Sequence, residues 1–231
     1  MSGIASRYTS SGERRGRGFS EALASSLQGL CALAAVMLFV SLLSPGTVAG
    51  WEALLPFVRR SFFPKVVAVL CGIAGLQLGH LERRWIIPGA PSRARAARLV
   101  GLALLSTSAF LPFLIVSAAD DGVPPLSVPV TALCLLSVVV LFAGAGYWAA
   151  GHIASEGLNI LARYGILVLA NILPLPLLPW LSPLEAVSYT WDHARFGAGA
   201  WALSGVGCVI VGWWMWRFSS VSSEGFSVGD G

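Results

Sequence analysis

The sequence predicts an all-α fold, a polytopic membrane protein with about six transmembrane helices and with N- and C-termini cytoplasmic. Three observations predict it. The 231 residues are 56% hydrophobic and 11% charged, with a mean hydropathy of +0.76, whereas a soluble domain carries roughly 25% charged residues. Six apolar segments approach or exceed the length a helix needs to cross a hydrocarbon core, about 20 residues. Of the fifteen Lys and Arg residues, all but Arg163, near the start of the fifth segment, lie outside those segments. A water-facing surface cannot be assembled from this inventory, which excludes disordered, coiled-coil and nucleic-acid-binding chains.

The first segment runs from about Ala22 to Leu43 and ends at Ser44-Pro45-Gly46. A basic stretch precedes it, as in a secretory signal, but its apolar run exceeds the 7–15 residues of a cleaved signal and is expected to be retained. The second, from about Val66 to Leu81, is the shortest; the aromatic stretch 47–65 before it is expected to be re-entrant, interfacial or part of that helix. The third spans about Leu99–Ala119, the fourth Ser127–Ala150, the fifth Leu158–Leu181 and the sixth Ala198–Trp216. The expected organisation is a cytoplasmic tail 1–20, a single six-helix domain 21–217 and a cytoplasmic tail 218–231.

Orientation follows from the loops, because positive residues resist translocation. Placing the N-terminus inside puts eleven basic residues on the cytoplasmic side (Arg7, Arg14, Arg15, Arg17, Arg83, Arg84, Arg93, Arg95, Arg98, Arg163, Arg217) and four outside (Arg59, Arg60, Lys65, Arg195). The acidic turn Asp120-Asp121-Gly122 and the segment holding Glu185 and Asp192 then fall outside. The cluster Arg59, Arg60 and Lys65 is the one discord. Trp180, Trp201, Trp213, Trp214 and Trp216 lie near helix ends, where aromatic belts anchor spans.

Little in the sequence carries chemistry of its own. Lys65 is the only lysine and sits in no Gly-x-x-x-x-Gly-Lys-Ser/Thr loop, so ATP hydrolysis is expected in another chain. Cys31, Cys71, Cys134 and Cys208 stand singly in apolar runs, as buried small hydrophobes do. His80, His152 and His193 fall near helix ends on opposite sides, and Asp120 and Asp121 are neighbours in one turn. Ser204-Gly205-Val206-Gly207 fits close helix packing better than a nucleophile. No catalytic, cofactor or metal site is expected. Arg163, Glu156 and Glu21 lie near helix starts rather than at a midplane, which disfavours an ion-coupled relay. Gly144, Gly146 and Gly151 in the fourth segment, and Gly197, Gly199, Gly205, Gly207 and Gly212 in or before the sixth, allow helices to approach closely.

The second cytoplasmic loop is the most informative stretch. Glu82-Arg83-Arg84 ends one helix, Pro88-Gly89-Ala90-Pro91 breaks it, and Ser92 is placed to cap a new helix beginning with Arg93, Arg95 and Arg98. At the other end, Pro174, Pro176 and Pro179 stop the fifth helix, and Ser182-Pro183-Leu184-Glu185 starts a short amphipathic segment.

This order of a Glu-Arg helix end, a Pro-x-Ser-Arg-like break and a helix re-entering the membrane resembles the membrane subunits of ABC export permeases of the type-2 family. The resemblance also covers six spans, cytoplasmic termini, a short outer turn between the third and fourth helices and a Ser-Pro segment between the fifth and sixth. It implies a permease subunit that moves a substrate by alternating access, paired with a second permease copy or homologue and driven by a separate P-loop ATPase subunit in a bacterial inner membrane. Glu82, Arg83, Arg84, Pro91, Ser92 and Arg93 would form the ATPase-coupling loop, and Pro174, Pro176, Pro179, Ser182, Pro183 and Glu185 an outer gate. The family's Glu-Arg-x-x-Gly-Thr-Leu-Glu continuation is replaced here by Trp85-Ile86-Ile87-Pro88. The competing expectations are a structural or assembly subunit of a larger membrane complex and, from a third class, an intramembrane enzyme. Replacing Arg83, Arg84 and Arg93 with alanine separates coupling from mere topology: loss of ATPase association marks the first, inverted or mixed topology the second.

Overall fold

The computed structural model describes residues 62–84, 92–120, 122–174 and 178–224, together with isolated helical positions between 28 and 36. Seven α-helices follow in chain order: α1 (Phe63–Arg84), α2 (Ser92–Ser108), α3 (Leu111–Asp120), α4 (Ser127–His152), α5 (Glu156–Ile172), α6 (Pro183–His193) and α7 (Ala198–Glu224), with a 3-10 turn at Pro179–Leu181 before α6. Three stretches are long and apolar enough to cross a membrane: Pro64–Arg83, Ala97–Ala119 and Ser127–His152. The expected first span, the loop 85–91 and the end 225–231 lie outside the described residues apart from the isolated positions.

Boundaries differ from expectation in physically readable ways. The second span is not short: α1 takes in Phe63, Pro64 and Lys65 and runs 22 residues. Pro64 stands near its start, where the missing N–H costs nothing. The third span bends at Ala109–Phe110. There Ser106 Oγ donates to the Leu102 carbonyl, Thr107 Oγ1 to Ala103 and Ser108 Oγ to Leu105. Pro112 follows, a residue without an N–H for the turn before it, so the hydroxyls occupy carbonyls around the interruption. The fifth helix stops at Ile172, short of the expected Leu181. The sixth continues to Glu224, through the start of the stretch expected as a tail. At the expected outer turn Gly122 has φ 64 and the Val123 N–H bonds the Ala118 carbonyl, a six-residue helix closure; Asp121 lies outside the described residues.

Helix α4 is the centre. Its buried face carries Thr131, Cys134, Leu135, Val138, Val139, Phe142 and Tyr147, packed with Val67, Cys71 and Leu76 of α1 in one core. The α1–α4 crossing is close enough to be backbone on backbone. A Cβ added at Gly75 would strike the Val139 carbonyl, one at Gly79 the Ala143 carbonyl, and one at Gly146 the Leu76 carbonyl. Only glycine permits this, and small residues are how helices gain contact in lipid, where burial of apolar surface supplies no drive. On the other side of α4, Ser137 and Ser204 of α7 bond hydroxyl to hydroxyl at 2.8 Å. Of the glycines expected at helix contacts, Gly144 meets Ile210 and Gly199 meets the Trp180 carbonyl, whereas Gly205 and Gly212 face open space.

The Gly79→Val variant should lose about 3 kcal/mol or more of stability through overpacking against backbone. Gly101→Ala, where no atom lies within 4 Å of the new methyl, should be neutral or gain up to about 1 kcal/mol. Thermal midpoints in detergent, read by size-exclusion monodispersity, check both.

Candidate functional site

Helix α5 is inverted in polarity. Its buried residues are Asn159, Arg163, Leu167 and Asn171, spaced four apart and so on one face. Its exposed face is apolar, with Leu158, Leu161, Val168, Leu169 and Ile172 all more than half exposed. A water-soluble helix shows the opposite pattern.

Each inward polar group has a defined setting. Asn159 is 3% exposed and donates through Nδ2 to the Ala149 carbonyl near the end of α4 at 2.8 Å, while its Oδ1 is buried without a partner. Asn171 donates to the Leu167 carbonyl and accepts the Leu184 N–H at Oδ1, 3.3 Å. Arg163 is 5% exposed. Its Nη1 donates to Gln77 Oε1 of α1 at 3.2 Å, and Gln77 Nε2 donates in turn to the Tyr164 hydroxyl at 3.2 Å. The Arg163 Nε–H is buried with no acceptor. Arg163 was expected among the cytoplasmic loop charges; the structure instead puts its guanidinium inside, in the second turn of α5.

At the end of the molecule where α1 finishes and α2 begins, Glu82 and Arg98 form a two-pronged pair, Arg98 Nε to Oε2 at 3.0 Å and Nη2 to Oε1 at 2.6 Å. The Glu82 side chain is 8% exposed, so the pair is largely out of water and geometrically fixed. Arg83 is exposed; it donates to the Tyr147 hydroxyl at 3.1 Å and lies over that ring. Arg84 ends α1, and Ser92, expected as the cap, and Arg93 are the first two residues of α2; Pro91 lies outside the described residues. The structure therefore brings Glu82 together with Arg98, a partner the sequence pattern did not single out.

The opposite end holds the expected gate residues. Lys65 Nζ pairs with Glu185 Oε1 at 2.7 Å, both side chains more than a third exposed. That pair places Lys65 beside Glu185; Arg59 and Arg60 lie outside the described residues. Ser182 Oγ donates to the Asn171 carbonyl at 2.9 Å, Pro183 opens α6, Pro179 opens the 3-10 turn, and the Pro174 carbonyl accepts the Leu178 N–H. Pro176 lies outside the described residues. Asn171, unnoticed in the sequence, is the clasp holding α5 to α6; an asparagine in an otherwise apolar run is the signal that marks it. Beside α6 is a cavity of about 560 Å³ lined by Trp180, Glu185, Tyr189, Asp192, His193 and Gly199 among others.

The residues weighed for chemistry are dispersed. His152 contacts the Trp148 carbonyl and stacks on its ring, and His193 does the same with Tyr189. Ser204 Oγ meets the Ala200 carbonyl and Ser137. Among the described residues, no three His, Cys, Asp or Glu side chains form a group that would hold a metal ion. Comparison of the chain with protein-family models, with curated proteins and with solved structures returns no match.

Glu82→Gln should cost about 2 kcal/mol, because it leaves a charged donor short of its acceptor. Lys65→Gln should cost less than about 1 kcal/mol, as exposed pairs do. Denaturation midpoints in detergent compare the two, and equal losses would contradict the difference in burial.

Proposed function

We propose that this chain is a multi-pass permease subunit of an ABC exporter, with a separate P-loop ATPase subunit supplying the energy and a second permease copy or homologue completing the path. The observation that carries the reading is the Glu82–Arg98 pair. A loop that only fixes topology needs its charges in water. Here a carboxylate 7% exposed is gripped at both oxygens by an arginine from the next helix. The pair joins the ends of α1 and α2 on either side of residues 85–91, so a push on that loop is passed to two spans at once. The inward polar face of α5 supports the same reading, since polar groups held inside a lipid-facing bundle mark a path or a site.

On this reading α1, α2 with α3, α4, α5 and α7 are five of six spans, residues 22–43 are the remaining one, and both termini lie on the cytoplasmic side with the Arg83–Arg98 elbow. Closure of the ATPase subunits moves the elbow. The Asn171–Ser182 clasp and the Lys65–Glu185 pair lie at the far end, where an exit gate would open. Glu185 and Lys65 are exposed enough to part at little cost, which suits a gate.

A non-transporting assembly subunit is the second reading. It is favoured by the glycine-lined α1–α4 crossing, which holds two spans in fixed register.

Affinity isolation of the tagged chain from its native membrane in mild detergent is expected to recover a P-loop ATPase. Glu82→Gln should lower that recovery roughly tenfold, the equivalent of about 1.4 kcal/mol of docking energy, with the permease still inserted. Isolation without any ATPase, together with export indifferent to ATP depletion, overturns the proposal in favour of the assembly subunit.

A further inference from the structure

Arg163 is the one buried guanidinium among the described residues, and no carboxylate hydrogen-bonds to it there; Glu156, two turns back on α5, acts on its charge only from a distance. An arginine has donors only, in a planar fork, and cannot shed its proton in a protein. Its Nη1 is used on the neutral oxygen of Gln77. The edge formed by Nε and Nη2, which presents two parallel N–H groups, is left with no acceptor from the described residues, and Nε is fully enclosed. Arg98 of the same chain shows what that edge does when filled: its Nε and Nη2 take the two oxygens of Glu82.

The surroundings fix the fork in place. Gln77 must turn its oxygen toward Arg163 because its amide nitrogen is committed to the Tyr164 hydroxyl. One helical turn away on the same face, Asn159 is anchored through its amide nitrogen to the Ala149 carbonyl. Arg163 lies seven residues beyond Glu156 at the start of α5, and Gln77 seven before Arg84 at the end of α1, so both sit about 10 Å in from the arginine-rich end. An anion drawn to that end by Arg83 and its neighbours would meet the unfilled fork next.

We propose that the Nε/Nη2 edge of Arg163, held by Gln77 and Tyr164 between α1 and α5, is a binding site for an oxyanion, a phosphate or carboxylate. The anion reaches the edge as α5 parts from α1, which it meets at Gln77 and at Gly72, where Leu167 packs. The inference deepens the transport reading and rests on it only in naming that anion as the acidic head of the cargo.

The test uses this chain alone in phosphatidylcholine nanodiscs, so that its failure and a failure to find an ATPase are separate results. Phosphatidic acid is titrated in one arm and inorganic phosphate in the other, with saturable binding read by thermal shift and by native mass spectrometry. Wild type should bind one of them; the lipid arm identifies a membrane amphiphile as the source, the phosphate arm a soluble anion. Arg163→Gln should weaken that binding at least roughly tenfold while remaining at least as heat-resistant as wild type without anion, since a buried charge with no hydrogen-bonded carboxylate has been removed. Arg163→Lys, which keeps the charge but not the two-pronged edge, should fall between them and serves if the glutamine variant does not fold. Arg83→Gln should retain the binding. Binding that survives Arg163→Gln, binding lost with Arg83→Gln instead, or saturable binding of neither anion overturns the proposal.

Discussion

The contact on which the other packing depends is the α1–α4 crossing at Gly75, Gly79 and Gly146. At these points one helix backbone rests on the carbonyls of the other, so neither helix can slide or rotate without collision. In water, apolar burial would bring two such helices together regardless of detail. In lipid that drive is absent, and association depends on how many atoms come into dispersion contact. Removing three side chains at the crossing is therefore what makes the contact strong. With α1 and α4 locked, the remaining helices arrange around α4: α7 on the Ser137 side, α5 against its end at Ala149, α6 over its start through the Thr131–Thr190 hydroxyl contact.

The charges fit that frame. Helix α1 carries an ion pair at each end, Lys65 with Glu185 and Glu82 with Arg98. The two α1 residues are seventeen positions apart, about 26 Å along a helix, close to the hydrocarbon thickness of about 30 Å. The pairs differ in kind: the first is more than a third exposed and labile, the second nearly enclosed on the Glu82 side. The end of α1 at Glu82 is therefore held more firmly to its neighbour than the end at Lys65.

Much of this was legible in the sequence because it depends on local signals. The Pro/Gly break before Ser92 set the start of α2, Asp120-Asp121-Gly122 set the turn before α4, and Ser182-Pro183 set the start of α6. What was missed depends on pairing or on phase. Hydropathy over a window averages Arg163 with its apolar neighbours and leaves it near a helix end, whereas the four-residue spacing of Asn159, Arg163, Leu167 and Asn171 is what puts it inside. The Glu82–Arg98 pair spans 16 positions, across the Pro88–Pro91 helix break, so neither residue signals it alone. The bend at Ala109–Phe110 needed Ser106, Thr107, Ser108 and Pro112 to be read together.

Helix α5 also bears on the choice between a working path and a static scaffold. A helix that only fills space is most stable with apolar residues at its buried positions, because each polar group taken from water must recover its hydrogen bonds inside. Here three of the four buried residues are polar, one is a full charge, and two polar atoms, Asn159 Oδ1 and Arg163 Nε, recover no protein partner. Apart from Glu156 at its start and Tyr164, the helix faces outward with apolar side chains, and its buried polar groups lie on the side that meets α1 and α4. Asn171, by contrast, is fully used, closing α5 onto Ser182 and Leu184. Within α5 the two unpartnered atoms lie toward its start and the satisfied Asn171 toward its end, while Ser117, Ser127, Ser188 and Trp191 elsewhere also keep buried polar atoms without a partner. The buried side of α5 is therefore a cost to packing that its own hydrogen bonds recover only in part.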